Sequence, residues 1–213
     1  MDEKKKLNII NAGFTVFAEY GYTKASVEDI VKLAGISKGS LFYYFESKKN
    51  FFIYLYEYCG QQLEKIVDSP GSDGVPTYMA YTDFFERLNA IQLLKMKATS
   101  DYPQMTNFMK KIVFDTSVIV QEEITKINER YTKERAMAFF QGLDYSKFKE
   151  GIEPMMIIQL LTWCSEGCIN QLMLEEKMKP DSKKSTPDFD KVFELYMKYV
   201  QMFRNNFYKP EYL

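Results

Sequence analysis

The chain has 213 residues, of which 46% are hydrophobic and 27% charged, a balance that suits a folded globular protein with a substantial core. It contains no histidine, which excludes Ser-His-Asp triads, imidazole acid–base catalysis and His-ligated metal sites. The net charge is −1, yet residues 1–50 hold eight lysines against six acids, and screening over about 8–10 Å makes that local excess the relevant field.

Cys59, Cys164 and Cys168 are the only cysteines. Cys164 and Cys168 share a helix face, but two thiolates do not complete a zinc site, so they are read as small packing residues in a reducing compartment. No metal or cofactor is expected. The sequence lacks an apolar run of about 18 residues and the apolar core and cleavage site of a signal peptide, so a cytoplasmic protein without a membrane span is expected.

A first helix is predicted over about Lys4–Tyr20, with Ile10, Phe14 and Phe17 as its buried stripe and Gly21 as its stop. Ser26 is a natural N-cap, with Asp29 three residues later, and Val27, Ile30, Val31 and Ala34 recur at helical spacing. Gly35 can take the left-handed conformation that ends a helix. Ser37 then caps another helix from about Lys38, on which Leu41 and Phe45 face the core. Two short helices joined by a tight turn make a helix-turn-helix. The second helix leaves Lys38, Gly39, Ser40, Phe42, Tyr43 and Tyr44 near solvent, an aromatic cluster that costs solubility unless it meets a partner. Gly39 costs about 1 kcal/mol against Ala there, a cost offset by close backbone approach to a base edge or phosphate. Ser47 caps a further helix with Lys48 in its first turn, a natural phosphate clamp.

From about Ile9 to Phe52, without a gap, this region resembles the DNA-binding domain of the TetR family of bacterial transcriptional repressors. The resemblance runs through IINAGFTVFAEYGYTKAS, VEDIVKLAG, ISKGSLFYYF and SKKNFF. It implies that Ser26 is a phosphate-contacting cap and that Lys38, Gly39 and Ser40 form the leading edge of the recognition helix. Phe42 and Tyr43 fall at the aromatic pair that touches base methyls and backbone, Tyr44 at a phosphate-contacting position, and Lys48 at the clamp. Two residues depart from the pattern. Phe42 replaces a more usual tyrosine, losing a hydroxyl while keeping an apolar contact to a thymine methyl. Glu28 sits near the DNA-facing start of its helix; it either points away or accepts from a cytosine amino group, and pointing away is the expectation. Lys4–Lys6 either follow the DNA backbone or form a solvated terminus.

Helix four is predicted from Lys48 to about Val67, bridging head and body, so that a change in its tilt would move the recognition helix. Ser69–Pro76 is the clearest breaker, followed by a helix over about Thr77–Thr99, a break at Pro103, and helices at about 104–112 and 114–140. Gly142–Gly151 reads as a loop, Pro154 opens a helix to about Met178, Lys179–Asp188 is a loop, and the last helix covers about Phe189–Phe207. The expectation is an all-α protein of about nine helices. Residues 1–50 form the DNA-binding domain, and 51–213 a helical effector-binding and dimerisation domain.

In the last helix Phe189, Phe193, Tyr196, Val200, Phe203 and Phe207 make a heptad-like seam, with Val192, Leu195, Tyr199 and Met202 as a second apolar set. The helix from Pro154 carries Ile157, Leu161, Cys164 and Cys168 on one stripe. These stripes are expected to build a four-helix homodimer interface, with a single-chain core as the competing reading. The body is rich in Met and aromatics, most of them core; an apolar effector pocket is expected to be lined by Phe84, Leu88, Met105, Phe108 and Trp163.

The composite expectation is a non-enzymatic, ligand-responsive regulator. It would be a dimeric repressor of a palindromic DNA operator, released by a hydrophobic or amphipathic small molecule. An activator on the same fold is the first alternative. A helical carrier or enzyme is the second, and no metal spacing, phosphate loop or nucleophile elbow supports it.

Overall fold

The computed structural model describes residues 2–114, 118–178 and 189–213. Among them the structure is helical, with no strand and only two isolated bridge pairs, Pro70–Pro76 and Phe148–Tyr208. The described helices are α1 Glu3–Lys24, α2 Val27–Ala34, α3 Lys38–Phe45, α4 Lys48–Val67, α5 Phe84–Asp101, α6 Pro103–Phe114, α7 Val118–Phe140, α8 Pro154–Met178 and α9 Phe189–Phe207. Short 3-10 turns lie at Thr77–Ala80 and Pro210–Tyr212. The all-α class and the helix order expected from sequence hold. The loop expected at 179–188 falls on residues outside the described ones; Phe114, the expected start of another helix, is instead the last residue of α6, and 115–117 lie outside the described residues.

Local chemistry sets most helix ends. Gly21 adopts φ 70° inside α1 and breaks its helical geometry there, and Gly35 ends α2 at φ 68°, both conformations that favour glycine. The helix expected from Thr77 is divided. Residues 77–80 form a 3-10 turn, and α5 begins only at Phe84, where the Asp83 carboxylate accepts the Glu86 N–H at 3.0 Å and caps a new start.

The chain forms two compact units: Met1–Ala80 with Arg87–Gly142, and Tyr81–Glu86 with Leu143–Leu213. The first is built on an aromatic core. Phe17 meets Phe52 edge-on at 5.0 Å between ring centres, and Phe108 of α6 packs 5.2 Å from both Phe14 and Phe52. Seating α6 on α1 in this way makes Phe108 and Met105 part of the core that supports α1 and α4. Polar rungs run along α4 and α7: Lys49 with Glu123, Tyr56 with Asn128 at 2.6 Å, Glu57 with Arg130 at 2.9 Å, and Asp68 with Arg135 at 2.7 Å. Arg87, fully buried, donates to the carbonyls of Phe139 and Gln141 at 2.7 Å each, satisfying the C-terminal end of α7. The boundary expected at residue 50 lies within α4, which crosses it unbroken.

The second unit has its own aromatic cluster: Phe85 and Phe148 lie 5.1 and 4.8 Å from the Tyr208 ring, and Phe84 lies 5.6 Å from Phe148. Lys147 pairs with the buried Asp83 at 2.8 Å beside it. α8 packs on α9.

Candidate nucleic-acid interface

The helix-turn-helix is assembled by three serine caps. Ser26 Oγ accepts from the Glu28 and Asp29 N–H groups at 3.1 and 3.4 Å. Ser37 Oγ accepts from Ser40 N–H at 3.1 Å, and Ser47 Oγ from Asn50 N–H at 3.0 Å. Leu41 and Phe45 anchor α3 to the core, and Phe45 packs 4.6 Å from Phe51 of α4. The turn into α4 passes through Glu46 at φ 62°, the one non-glycine residue at positive φ among the described residues. Its carboxylate accepts from Asn50 Nδ2 at 3.2 Å. Nothing in the sequence marks this strained residue, because its conformation is imposed by the flanking helices.

Of the α3 residues named from sequence, Lys38, Gly39, Tyr43 and Tyr44 are exposed. Tyr43 is 82% exposed, and Tyr44 is exposed beside it, the two rings 5.1 Å apart and nearly perpendicular. A Cβ on Gly39 would meet only Ser37 Oγ, at 3.9 Å, so no intramolecular packing requires glycine there. Ser40 is half-buried, with its hydroxyl 3.0 Å from that of Ser37. Phe42 is half-buried against the core.

The two basic groups differ from a picture of free lysines. Lys48 donates to the Thr23 carbonyl at 3.3 Å and lies 4.9 Å over the Tyr22 ring, so it is anchored at the end of α1. Lys38 lies 5.8 Å over the Phe42 ring and forms a 2.6 Å ion pair with Glu28. Glu28 thus turns toward the leading edge of α3, not away from it. The Lys38 ammonium first, with the Glu28 backbone and Ser26 hydroxyl bonds, holds its carboxyl down at about 2. That residue pair, ten apart in sequence, had no local signal.

A family model of bacterial regulatory proteins, tetR family, matches residues 9–55, the segment that carries this geometry. Residues 9–55 are a TetR-family DNA-binding domain. The chain is 24% identical over 174 residues to the HTH-type transcriptional repressor DhaR of Mycobacterium sp. (strain GP1), covering 81% of this chain and 84% of that protein. It is 27% identical over 164 residues to the HTH-type transcriptional regulator RutR of Escherichia coli (strain K12), covering 76% and 71%. Its fold is similar to that of SmeT, the repressor of the Stenotrophomonas maltophilia multidrug efflux pump SmeDEF, with a TM-score of 0.67 at 16% identity over 98% of this chain and 94% of that one. As a TetR-family protein it is a DNA-binding transcriptional regulator and not an enzyme. No helix among the described residues is long and apolar enough to cross a membrane.

The residues expected to line an effector pocket are differently placed. Phe108 and Met105 are buried in the core of α1, α4 and α6, and Leu88 is buried in the same unit. Phe84 is fully buried in the aromatic cluster of the second unit. Trp163 is 56% exposed on α8. Phe84, Leu88, Met105 and Phe108 are thus taken up by packing within their own units, whereas Trp163 is not.

The stripes expected at a dimer interface are placed as follows. Ile157, Leu161, Cys168, Val200 and Phe203 are buried within one chain, and Cys164, Phe193 and Tyr196 are half-buried with them. Burial next to Cys164 and Cys168 pushes the Tyr196 hydroxyl up to about 12, so the two cysteines face α9 of the same chain. The outward face of α8 instead carries Met156, Trp163 and Leu174, and that of α9 carries Tyr199 and Met202. The Phe189 side chain lies outside the described residues.

Proposed function

We propose that this TetR-family chain is a ligand-responsive repressor that binds a palindromic operator as a homodimer and is released by a hydrophobic or amphipathic small molecule. The observation that carries the DNA-facing part is the exposed Tyr43–Tyr44 pair beside open Gly39 on a helix whose other face is locked to the core. Residues 1–50 act as the DNA-binding head and 51–213 as the effector and dimer body. Tyr43 and Phe42 meet base methyls and backbone, Gly39 and Ser40 allow close approach, and Ser26, Tyr44 and Lys48 meet phosphates. Lys38 reaches phosphate only by sharing or leaving Glu28, so that contact is gated by the duplex itself.

The outward stripe of Met156, Trp163 and Leu174 with Tyr199 and Met202 is the dimer face, occupied by the same stripe of a second copy. Two heads held about 34–36 Å apart match successive major grooves. Effector binding shifts the body, and the movement reaches the head through Phe108 on α1 and through the coupled α4–α7 pair. Repressor names among the relatives favour the negative sign.

The test is selection of bound duplex from a random library by the full-length protein, followed by binding to the recovered site. Palindromic sites are expected. Tyr43→Ala should weaken binding at least tenfold with the dimer intact, and Lys48→Ala should lower the salt slope by about one unit. If both variants bind as the parent protein does, the groove-facing surface lies elsewhere.

A further inference from the structure

Glu28 and Lys38 meet where both helices of the helix-turn-helix begin. Glu28 is the second residue of α2 and Lys38 the first of α3, and their side chains close a 2.6 Å ion pair. Both stay open to solvent, Lys38 at 53% and Glu28 at 67% exposure, so the pair does not fill the core. Ion pairs this exposed contribute only modestly to stability. A carboxylate there also opposes phosphate binding, because it cancels the charge of Lys38 at the leading edge of α3. A surface that met only the DNA backbone would gain nothing from Glu28.

The pair is held in place and is not saturated. Glu28 Oε1 accepts from Lys38 Nζ, Oε2 accepts from the Ser26 hydroxyl at 3.0 Å, and the Glu28 backbone N–H bonds the same carboxylate. The Lys38 ammonium also lies 5.8 Å over the Phe42 ring. An ammonium has three donors and a carboxylate about four acceptor sites, so two donors and at least one acceptor site remain. They stand side by side, on atoms 2.6 Å apart, where a recognition helix presents its first residues to base edges. In the major groove a G·C pair offers guanine N7 and O6, both acceptors, and then the cytosine N4 amino donor. O6 and N4 are hydrogen-bonded to each other, at about 2.9 Å. Two ammonium donors on N7 and O6 with the carboxylate on N4 match that order and spacing. An A·T pair offers acceptor, donor, acceptor, so a carboxylate on the adenine amino group leaves the ammonium one acceptor on either side.

We propose that Glu28 and Lys38 act as one unit that reads a G·C base pair in each operator half-site, with the Lys38 ammonium on guanine N7 and O6 and the Glu28 carboxylate on the cytosine amino group. The proposal rests on the operator-binding reading above and adds to it a base pair that the operator must contain. On duplex without that pair the ammonium falls back on phosphate while the carboxylate is repelled, so the same unit works against random DNA.

The full-length parent, Glu28→Ala and Lys38→Ala each select duplex from the same random library, and affinities for the recovered sites are measured. The parent should prefer G·C at one position of each half-site by about tenfold or more. Both variants should lose the preference at that position and keep it at the others. Modified bases at that pair then test the parent protein itself: 7-deazaguanine, which lacks N7, and N4-methylcytosine, whose free amino proton is blocked, should each weaken it about five- to fiftyfold. N4-methylcytosine should cost Glu28→Ala nothing further, nor 7-deazaguanine Lys38→Ala. The double swap Glu28→Lys with Lys38→Glu keeps an ion pair, which would rescue a merely structural role, yet the G·C preference should not return. Identical sites for parent and variants, losses at an A·T pair or at two different positions, indifference of the parent to both modified bases, or rescue by the swap each overturn the proposal and leave operator binding in place. A parent that enriches no site overturns the operator reading and the proposal with it.

Discussion

A single methyl group at Gly13 tests how the recognition helix is seated. A Cβ there would lie 2.6 Å from Leu55 Cδ1 and 2.7 and 2.8 Å from Phe51 Cζ and Cε1. Carbon atoms prefer about 3.5–4.0 Å, so roughly 1 Å of relief is required. Neither neighbour has room to give it: both are fully buried, and the Phe51 ring is wedged between Phe45 at 4.6 Å and Phe17 at 6.1 Å. Two effects oppose each other in Gly13→Ala. Replacing a mid-helix glycine gains about 1 kcal/mol in helix propensity. Overpacking a tight core costs about 1–3 kcal/mol. The expected net result is a loss of up to about 2 kcal/mol in urea unfolding, read as a lower midpoint at unchanged slope. Phe51 touches Phe45, the last residue of α3, so the displaced ring also disturbs the DNA-facing helix, and operator affinity should fall in the fully folded variant. A variant stabilised by about 1 kcal/mol with parental DNA binding would refute the reasoning, because propensity alone would then decide the outcome and the α1–α4 contact would have slack.

Glu28→Gln removes the ion pair with Lys38. The folded Glu28 carboxyl titrates at about 2, below its ordinary 4.5, so its stabilisation is complete above pH 4.5 and is lost as pH falls through about 2. Melting midpoints of parent and variant should therefore differ at neutral pH and converge in acid; a constant difference would show that charge is not the cause. The same substitution frees Lys38, so binding to random duplex should tighten and its salt slope steepen, and an unchanged slope would mean that Lys38 does not reach phosphate. Trp163→Glu should yield a helical monomer in sedimentation, whereas Leu161→Glu, on the buried stripe, should unfold the unit; a dimeric Trp163→Glu protein would move the interface elsewhere. Phe108→Ala should cost about 3–5 kcal/mol in equilibrium unfolding, and a loss under about 1 kcal/mol would contradict the seating of α6 on α1.

These perturbations divide between features legible in the sequence and features that are not. The three serine caps, Gly21 and Gly35 were legible because each signal spans a few residues and each physical cause is equally local. The outward α3 residues were legible because Leu41 and Phe45 fix its buried side. The partner of an amphipathic stripe was not. The heptad spacing of α9 announces burial, but Val200 and Phe203 would read identically against a second copy or against α8 of the same chain, and the latter holds. Trp163 and Phe108 show the same ambiguity in opposite directions: one expected pocket residue is on the surface, the other in the core.

The route from body to head is changed most by what sequence could not supply. A tilt of α4 alone was the expected transmission. The rungs Lys49–Glu123, Tyr56–Asn128, Glu57–Arg130 and Asp68–Arg135 run the length of α4, so an isolated tilt must break all of them, whereas moving α4 and α7 together breaks none. Close packing reinforces this, since a Cβ on Gly60 of α4 would lie 2.8 Å from the Tyr131 ring of α7. The head is also held from its other side, by Phe108 of α6 against Phe14 and Phe52. Under the proposed ligand response, a signal from the body would therefore move the α4–α7 pair as one piece against α1 and α6. The joint that would yield is the aromatic packing of α4 on α1 and α6, Phe51 and Phe52 against Phe17 and Phe52 against Phe108, which is apolar and short-ranged, and not the ion pairs, which can follow the motion intact. Raising salt should consequently weaken DNA contacts steeply while leaving the effector-induced change in DNA affinity nearly constant as a ratio; a ratio that collapses with salt would place the yielding joint in the rungs instead.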